Sequence, residues 1–151
     1  MLFQSQNLKN FCITKVEEYA YNFLKVSKTI KFKMTISWCN KTPPGGYHHI
    51  HTHSNSLISG TISVTSNHFQ RFHSRNNVFS GWILDYDENT DFNAEKIDVK
   101  LSNSGTLTLF PSWIHHEVPI HQGIEDRYSL SFNILPQGLI SPNTFNEALI
   151  I

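Results

Sequence analysis

The sequence lacks the features that mark several large classes of protein. No apolar run approaches the roughly 20 residues of a membrane span, so we expect no membrane association. The N-terminus shows neither a basic segment nor the apolar core of about 7–15 residues that a signal peptide needs. Only two cysteines are present, too few for a disulfide framework. We therefore expect a cytoplasmic protein.

An excess of charge of one sign is also missing. Twelve Lys and Arg residues balance twelve Asp and Glu residues, which disfavours a nucleic-acid-binding protein that works through a basic face. The phosphate-binding loop and the serine-hydrolase motif G-x-S-x-G do not occur. With 39% apolar and 16% charged residues, the chain of 151 residues has the composition of a single globular domain.

Histidine, in contrast, is concentrated in two places. Of the nine histidines, four lie within residues 48–53 and two are adjacent at 115–116. Histidine is the commonest metal ligand and the usual acid–base residue near neutral pH. These two clusters are therefore the candidates for a metal site or an acid–base site.

The hydrophobic pattern changes once along the chain, near residue 30. Residues 7–26 carry apolar side chains at helical spacing, so we expect one helix that packs on a sheet. From residue 31 onward the pattern alternates with a period of two, and many short strands after one helix indicate a mainly β sandwich or barrel. The predicted strands are 31–38, 47–53, 57–65, 68–73, 79–85, 96–101, 105–110, 114–118 and 126–134, followed by a short helix at 143–150.

The first histidine cluster contains an H-x-H pair. His51 and His53 lie two residues apart in a predicted strand, so their imidazoles share one face, and the same parity adds His49 to that face. Two nitrogen donors side by side form half of a metal site, and a third ligand has to come from elsewhere. The alternative interpretation is a pair of surface histidines.

The second cluster follows an apolar strand in the segment from Phe110 to Val118. Neighbours on a strand point to opposite faces, so only one of His115 and His116 can face the cavity that His51 faces. The residues alone leave that choice open. A solvated histidine at a sheet edge is the alternative for either one.

A third element, residues 126–134, separates polar from apolar side chains. Tyr128, Leu130, Phe132 and Ile134 alternate with polar residues, so one face is buried and the other meets either solvent or a polar cavity. An arginine with a serine two residues further on can bind a carboxylate, because the guanidinium donates two parallel hydrogen bonds and the hydroxyl a third. The polar residues are Arg127, Ser129, Ser131 and Asn133.

Taken in order, these elements resemble the double-stranded β-helix oxygenases that use iron(II) and 2-oxoglutarate. The similarity is greatest to the short 2-oxoglutarate/Fe(II) oxygenases of marine bacteria and their phages, and it covers roughly residues 36–135. The motifs that carry it are Ser37-Trp38-Cys39-Asn40, Gly46 leading to His51-Thr52-His53, Asn55-Ser56-Leu57-Ile58-Ser59-Gly60, Gly105-Thr106-Leu107-Thr108-Leu109-Phe110-Pro111-Ser112-Trp113, and Arg127-Tyr128-Ser129-Leu130-Ser131-Phe132-Asn133.

The resemblance implies a jelly-roll, cupin-like fold in one domain spanning residues 1–151. The domain would comprise a helical segment at about 5–28 on one sheet, a β-helix core at about 31–135 and a tail at 136–151. The family's histidine stands four residues past the serine of F-P-S-W, which selects His116 over His115. Fe(II) would then be held by His51, His53 and His116, and the residues implied to bind 2-oxoglutarate are Arg127, Ser129, Asn133 and Ser63.

The activity implied is a hydroxylation of a C–H bond with release of succinate and CO2. The substrates would be O2 and either a small molecule or a protein side chain. Whether the protein forms a homodimer is left open. His53 stands where most 2-oxoglutarate oxygenases have Asp or Glu, and no tyrosine follows Ser59-Gly60. Two alternatives are therefore kept: a three-histidine zinc or iron protein that does not use 2-oxoglutarate, and a non-catalytic descendant that binds a ligand or a partner.

Overall fold

The computed structural model describes residues 5–73, 96–140 and 149–151. Within these ranges one α-helix, continued by a π-helical turn, precedes ten β-strands. The elements are α1 (Gln6–Glu18), the π-helical turn (Tyr19–Phe23), β1 (Lys31–Thr42), β2 (His48–His51), β3 (Ile58–Ser63), β4 (His68–His73), β5 (Lys96–Leu101), β6 (Leu107–Pro111), β7 (His116–Val118), β8 (Arg127–Gln137), β9 (Leu139–Ile140) and β10 (Leu149–Ile150).

The first eight strands form two four-stranded antiparallel sheets. One sheet, called the helix-side sheet here, has the order β1-β8-β3-β6, and the other, called the histidine sheet, has the order β2-β7-β4-β5. The chain passes back and forth between the two, which is the winding of a double-stranded β-helix. Residues from both sheets line one inner cavity, called the histidine cavity here because it includes His51, His53 and His116, so the sheets face each other. The predicted jelly-roll fold is confirmed.

The apolar core lies outside the barrel, between the helical segment and the helix-side sheet. Cys12 and Val16 of α1 are fully buried against this sheet, as the helical periodicity predicts. Gly60 lets the ring of Phe132 lie against β3, since a Cβ at this position would be 2.3 Å from the ring. The buried core residues are Cys12, Val16, Ala20, Phe32, Met34, Ile58, Ile62, Phe132 and Ile134.

The alternation predicted for residues 126–134 divides the interior into two layers. Along β8, Phe132 and Ile134 belong to the apolar core, whereas Arg127, Ser129 and Ser131 are buried on the opposite side of the strand. Ser129 and Ser131 line the cavity between the sheets. The polar face therefore meets a polar cavity and not solvent.

The end of the chain differs from the prediction. Leu149 and Ile150 form a strand that pairs with Leu139–Ile140, so the helix predicted at 143–150 is wrong at these two residues, while 143–148 lie outside the described residues. Backbone hydrogen bonds in both directions between Gly138 and Ile151 continue this pairing. The strand predicted at 79–85 also lies outside the described residues. No helix in the described ranges is long and apolar enough to cross a membrane.

Candidate metal centre

Three histidines converge at one end of the barrel. His51 is the last residue of β2 and pairs directly with His116, the first residue of β7. The ring of His53, two residues further along the chain, has its centroid 5.2 Å from that of His51 and 5.0 Å from that of His116. One ring nitrogen of each histidine lies within 4.8 Å of the other two. The convergence expected from the H-x-H pair and a distant histidine is present.

Backbone carbonyls fix the orientation of two of these rings. Nδ1 of His51 lies 2.6 Å from the carbonyl oxygen of His49, and Nδ1 of His116 lies 3.0 Å from that of Ile114. A carbonyl oxygen only accepts hydrogen bonds, so each Nδ1 carries the proton and each Nε2 keeps a free lone pair. This is the arrangement in which a histidine is held ready as a metal ligand.

Burial keeps two of the three imidazoles, those of His53 and His116, neutral. Burial lowers the pKa of His53 and of His116 to about 4 each, and the charge of His51 acts in the same direction. The hydrogen bond to Ile114 opposes this effect at His116 without overcoming it. Since metal ions bind the neutral imidazole, both ligands are available at neutral pH without loss of a proton.

Aromatic rings enclose the three histidines on the inner side. The ring of Phe110 lies 4.7 Å from that of His116, and the rings of Phe72 and Trp38 lie 6.0 Å from His116 and 5.6 Å from His53. Two residues after Phe110, the chain turns at Ser112, which is fully buried and hydrogen-bonded to Ser59 at 2.8 Å. The F-P-S-W motif thus forms part of the wall of the site and anchors the turn before β7.

A β-bulge changes which histidines of the first cluster face inward. His48 pairs with Val118 and His51 with His116, so a step of three residues on β2 lies opposite a step of two on β7. Both His48 and His51 consequently line the inner cavity, and His49 is exposed. The expectation that His49 shares the face of His51 is wrong, because strict alternation does not hold across a bulge.

Arg127 is the buried cation of the site. It lies on β8 opposite Thr42, is 3% exposed, and has no hydrogen-bond partner for Nε or Nη2 among the described residues. Burial lowers its pKa. Its side chain lines a second cavity of about 330 Å³, beside Phe69 and Ile120, and its charge together with burial lowers the pKa of His48 in the histidine cavity. Arg127 is also adjacent to the histidine cavity, because its strand partner Thr42 has Oγ1 3.2 Å from Nε2 of His48.

The comparison with protein families decides the identity of the chain. Residues 36–133 match the family described as "Putative 2OG-Fe(II) oxygenase". The chain belongs to this family. The resemblance found in the motifs is confirmed, and no curated protein matches the chain.

Solved structures share the fold of this oxygenase-family chain at low sequence identity. An oxidoreductase of the 2OG-Fe(II) oxygenase family from Burkholderia pseudomallei has a TM-score of 0.55 at 12% identity, over 77% of this chain and 49% of its own. A prolyl-4-hydroxylase from Pseudomonas putida has a TM-score of 0.53 at 15% identity, and the match covers 86% of this chain and 66% of the hydroxylase. The nickel complex of the non-heme monooxygenase ThoJ has a TM-score of 0.51 at 12% identity, and the match covers 79% of this chain and 50% of ThoJ. The chain spans about half to two thirds of the length of these proteins.

The residues of this oxygenase-family chain fit the two groups that the family implies. Three imidazoles grouped on one side of a site suit iron, and the buried guanidinium of Arg127, with Nε and Nη2 unpaired, suits a carboxylate. Ser129 lies two residues from Arg127 on the same buried face. Its hydroxyl oxygen accepts a hydrogen bond from Asn40 Nδ2 at 3.4 Å, which leaves its own O–H free to donate to a ligand.

The other two residues expected to bind the co-substrate already have partners in the protein. Asn133 Oδ1 accepts a hydrogen bond from Ser59 at 2.9 Å, within the network that anchors Ser112. The hydroxyl of Ser63 donates to the carbonyl oxygen of Thr65. Cofactor binding by Asn133 and Ser63 stays a prediction.

Four residues that line the histidine cavity were not expected from the sequence. Asn40 was visible only as part of the Ser37–Asn40 motif, and His48 only as a member of the histidine cluster. Thr61 alternates with apolar residues in β3, and Gln70 stands next to Arg71 between two phenylalanines in β4; neither pattern indicates a ligand role. All four lie on the inner side of the barrel: Asn40, His48, Thr61 and Gln70.

Proposed function

We propose that the protein is an Fe(II)- and 2-oxoglutarate-dependent dioxygenase that hydroxylates a C–H bond and releases succinate and CO2. O2 and a small molecule or a protein side chain are the proposed substrates. The observation that carries this proposal is a buried guanidinium with Nε and Nη2 unpaired in the same barrel as three clustered histidines, in a chain that belongs to the oxygenase family. A metal site without a carboxylate-bearing partner has no use for Arg127.

The three histidines would hold the iron. His51 and His116 present Nε2 toward a common point because their Nδ1 atoms are bound to backbone carbonyls, and His53 completes the set from the turn after β2. Three protein ligands leave coordination positions for a co-substrate and for O2. Iron and 2-oxoglutarate, when bound, supply the oxidative chemistry.

Arg127 and Ser129 would bind the carboxylate of 2-oxoglutarate that is distant from the metal. The guanidinium offers two parallel N–H donors, and burial of the group excludes the water that would otherwise compete for them. Ser129 adds the O–H that Asn40 leaves free. Around the metal end, the rings of Phe110 and Phe72 exclude water from the neighbourhood of His116.

Anaerobic spectroscopy and product analysis test this function. Addition of Fe(II) and then 2-oxoglutarate is expected to give a weak visible metal-to-ligand absorption, and admission of air is expected to yield succinate even without the natural substrate. The His116→Ala variant should give neither signal. His115→Ala is the matched control, since His115 is outside the three-histidine cluster, and it should behave as the native protein does.

A second candidate follows from the charge of the ligand set. All three ligands are neutral imidazoles, as in zinc sites with an open water position, so a zinc or iron protein without 2-oxoglutarate is the alternative. Firm Zn(II) binding together with no absorption band and no succinate would favour this alternative or a non-catalytic binding protein. The cytoplasmic location, the marine bacterial or phage origin and homodimerisation stay predictions.

A further inference from the structure

One buried side chain in the histidine cavity has a polar atom that the protein leaves unpaired. Gln70 of β4 is 3% exposed and lines this cavity, yet its Oε1 has no hydrogen-bond partner among the described residues. A buried polar atom without a partner is rare in folded proteins and destabilises the fold. Such an atom in a ligand cavity calls for a partner that the ligand supplies.

The strand register places Gln70 behind the metal site. His51, His116 and Phe72 form one layer across the histidine sheet, because His51 pairs with His116 and His116 with Phe72. Gln70 is two residues from Phe72 on the same side of β4, and His48 pairs with Val118 in the layer behind the histidines. Nε2 of His48 lies 3.2 Å from Oγ1 of Thr42, and Thr42 pairs with Arg127 on β8. Gln70 therefore lies on the side of the histidine cluster that leads toward Arg127.

The polar groups on the opposite wall of the cavity are already bonded to one another. Asn40 Nδ2 donates to Ser131 at 3.2 Å and to Ser129 at 3.4 Å, and the hydroxyls of Thr61 and Ser131 lie 3.3 Å apart. These contacts hold the helix-side wall in one arrangement. Gln70 lines the same cavity from the histidine sheet, and its Oε1 has no such contact among the described residues.

We propose that Gln70 is a further binding residue for the co-substrate and that its side-chain amide donates an N–H to a carboxylate oxygen of 2-oxoglutarate. The inference rests on the proposed function. A dicarboxylate offers acceptors only, and a half-turn about the terminal bond of the side chain exchanges the amide oxygen for its NH2 group. The ligand would then be held at its ends by the histidine cluster and Arg127 and from the side by Gln70.

Two substitutions separate the donor role from other roles of the amide. Gln70→Leu keeps the size of the side chain and removes the hydrogen bond, whereas Gln70→Glu keeps the shape and replaces the donor by a negative charge. A donor to a carboxylate is lost in both variants, and the glutamate also repels the ligand. If Gln70 instead accepted a hydrogen bond from a metal-bound water or a substrate hydroxyl, glutamate would keep or strengthen that bond.

Calorimetric titration of 2-oxoglutarate into Mn(II)-loaded protein measures the effect. We expect the Kd to rise about tenfold or more in Gln70→Leu and further in Gln70→Glu. Mn(II) binding in Gln70→Leu should be unchanged, since Gln70 is not one of the three clustered histidines. The matched control is Gln6→Leu at the exposed start of α1, which lines neither cavity and should leave the Kd unchanged.

Each other outcome overturns a specific statement. A native Kd in Gln70→Leu overturns the inference and leaves the proposed function intact, and a Kd in Gln70→Glu at or below that of Gln70→Leu overturns the donor role. Native protein that binds Mn(II) but no 2-oxoglutarate overturns the proposed function and the inference together. If Gln70→Leu does not fold by circular dichroism, Gln70→Met, which also lacks the amide, replaces it with the same expected Kd.

Discussion

His51 and His116 lie directly opposite each other across the β2–β7 pair, with ring centroids 4.3 Å apart. Both rings are held by a backbone carbonyl two residues before them in the chain, at His49 and at Ile114. The orientation of two of the three candidate ligands is therefore set by main-chain geometry. No acidic side chain is needed to fix the tautomer.

The stability of the metal-free protein should fall as the pH is lowered from about 6.5 toward 4. Burial lowers the pKa of His53 and His116 from 6.5 to about 4, so the unfolded chain binds more protons than the folded one in this range. Urea denaturation in the presence of a chelator at several pH values measures the change. In a variant with both histidines replaced by Phe, the slope over this range should be smaller, and an equal slope would contradict the assignment.

Replacement of Arg127 by Met should weaken 2-oxoglutarate binding without loss of metal binding. A hydrogen-bonded charge contributes about 1.5–3 kcal/mol, so the Kd should rise by about one to two orders of magnitude. Calorimetry on the Mn(II)-loaded protein measures both affinities. Because the guanidinium is buried with Nε and Nη2 unpaired, the free energy of unfolding without ligand should be unchanged or higher in the variant. An unaltered Kd would exclude Arg127 from co-substrate binding.

His53→Asp should strengthen the binding of Mn(II) by about tenfold, because a carboxylate next to the two imidazoles adds the anionic oxygen ligand that this ion prefers. Fluorescence or calorimetric titration of the metal measures the gain. Thr52→Asp is the matched control, since it adds the same charge one residue earlier at an exposed position. Equal gains in both variants would mean that the general field of the added charge, and not coordination at position 53, accounts for the effect.

Gly60→Ala should destabilise the fold by about 1–3 kcal/mol, because the added Cβ would lie 2.3 Å from the ring of Phe132. The midpoint of chemical denaturation measures the loss. Addition of Phe132→Leu, which removes the ring, should make the Gly60→Ala change cost less than it does in the native background. Independent, additive losses would show that the two residues are not in contact.

The fold was predictable wherever local pattern and burial agree. The alternation in residues 31–38 and 126–134 reappears in the paired strands β1 and β8. The apolar stripe predicted for 7–26 packs on the core at Val16 and Ala20 but not at Phe23 and Leu24, which are exposed where the π-helical turn ends the α-helical spacing. The pairing of Leu149–Ile150 with Leu139–Ile140 was not predictable, because the residue types at 143–150 are compatible with a helix and only a distant partner selects the strand.

The candidate site was predictable only in part, for a similar reason. The convergence of His51 and His53 with a distant histidine followed from motif order, whereas only the family resemblance selected His116 over His115. The inward position of His48 depends on a β-bulge in the pairing of β2 with β7. Neither strand's sequence indicates this bulge, so the position of His48 could not be predicted. The two phenylalanines of β4 are three residues apart and so lie on opposite faces of the strand. The sequence therefore marks neither face as buried, and the burial of Gln70 opposite the serines of β8 could not be read from it.

The apolar core between α1 and the helix-side sheet stabilises the fold from outside the histidine cavity. Replacement of an inward side chain such as Gln70 therefore changes what the cavity accepts and removes no residue of that core. New ligand preferences could arise in such a molecule by successive single replacements, each compatible with folding. This separation makes the barrel a practical starting framework for redesigned selectivity.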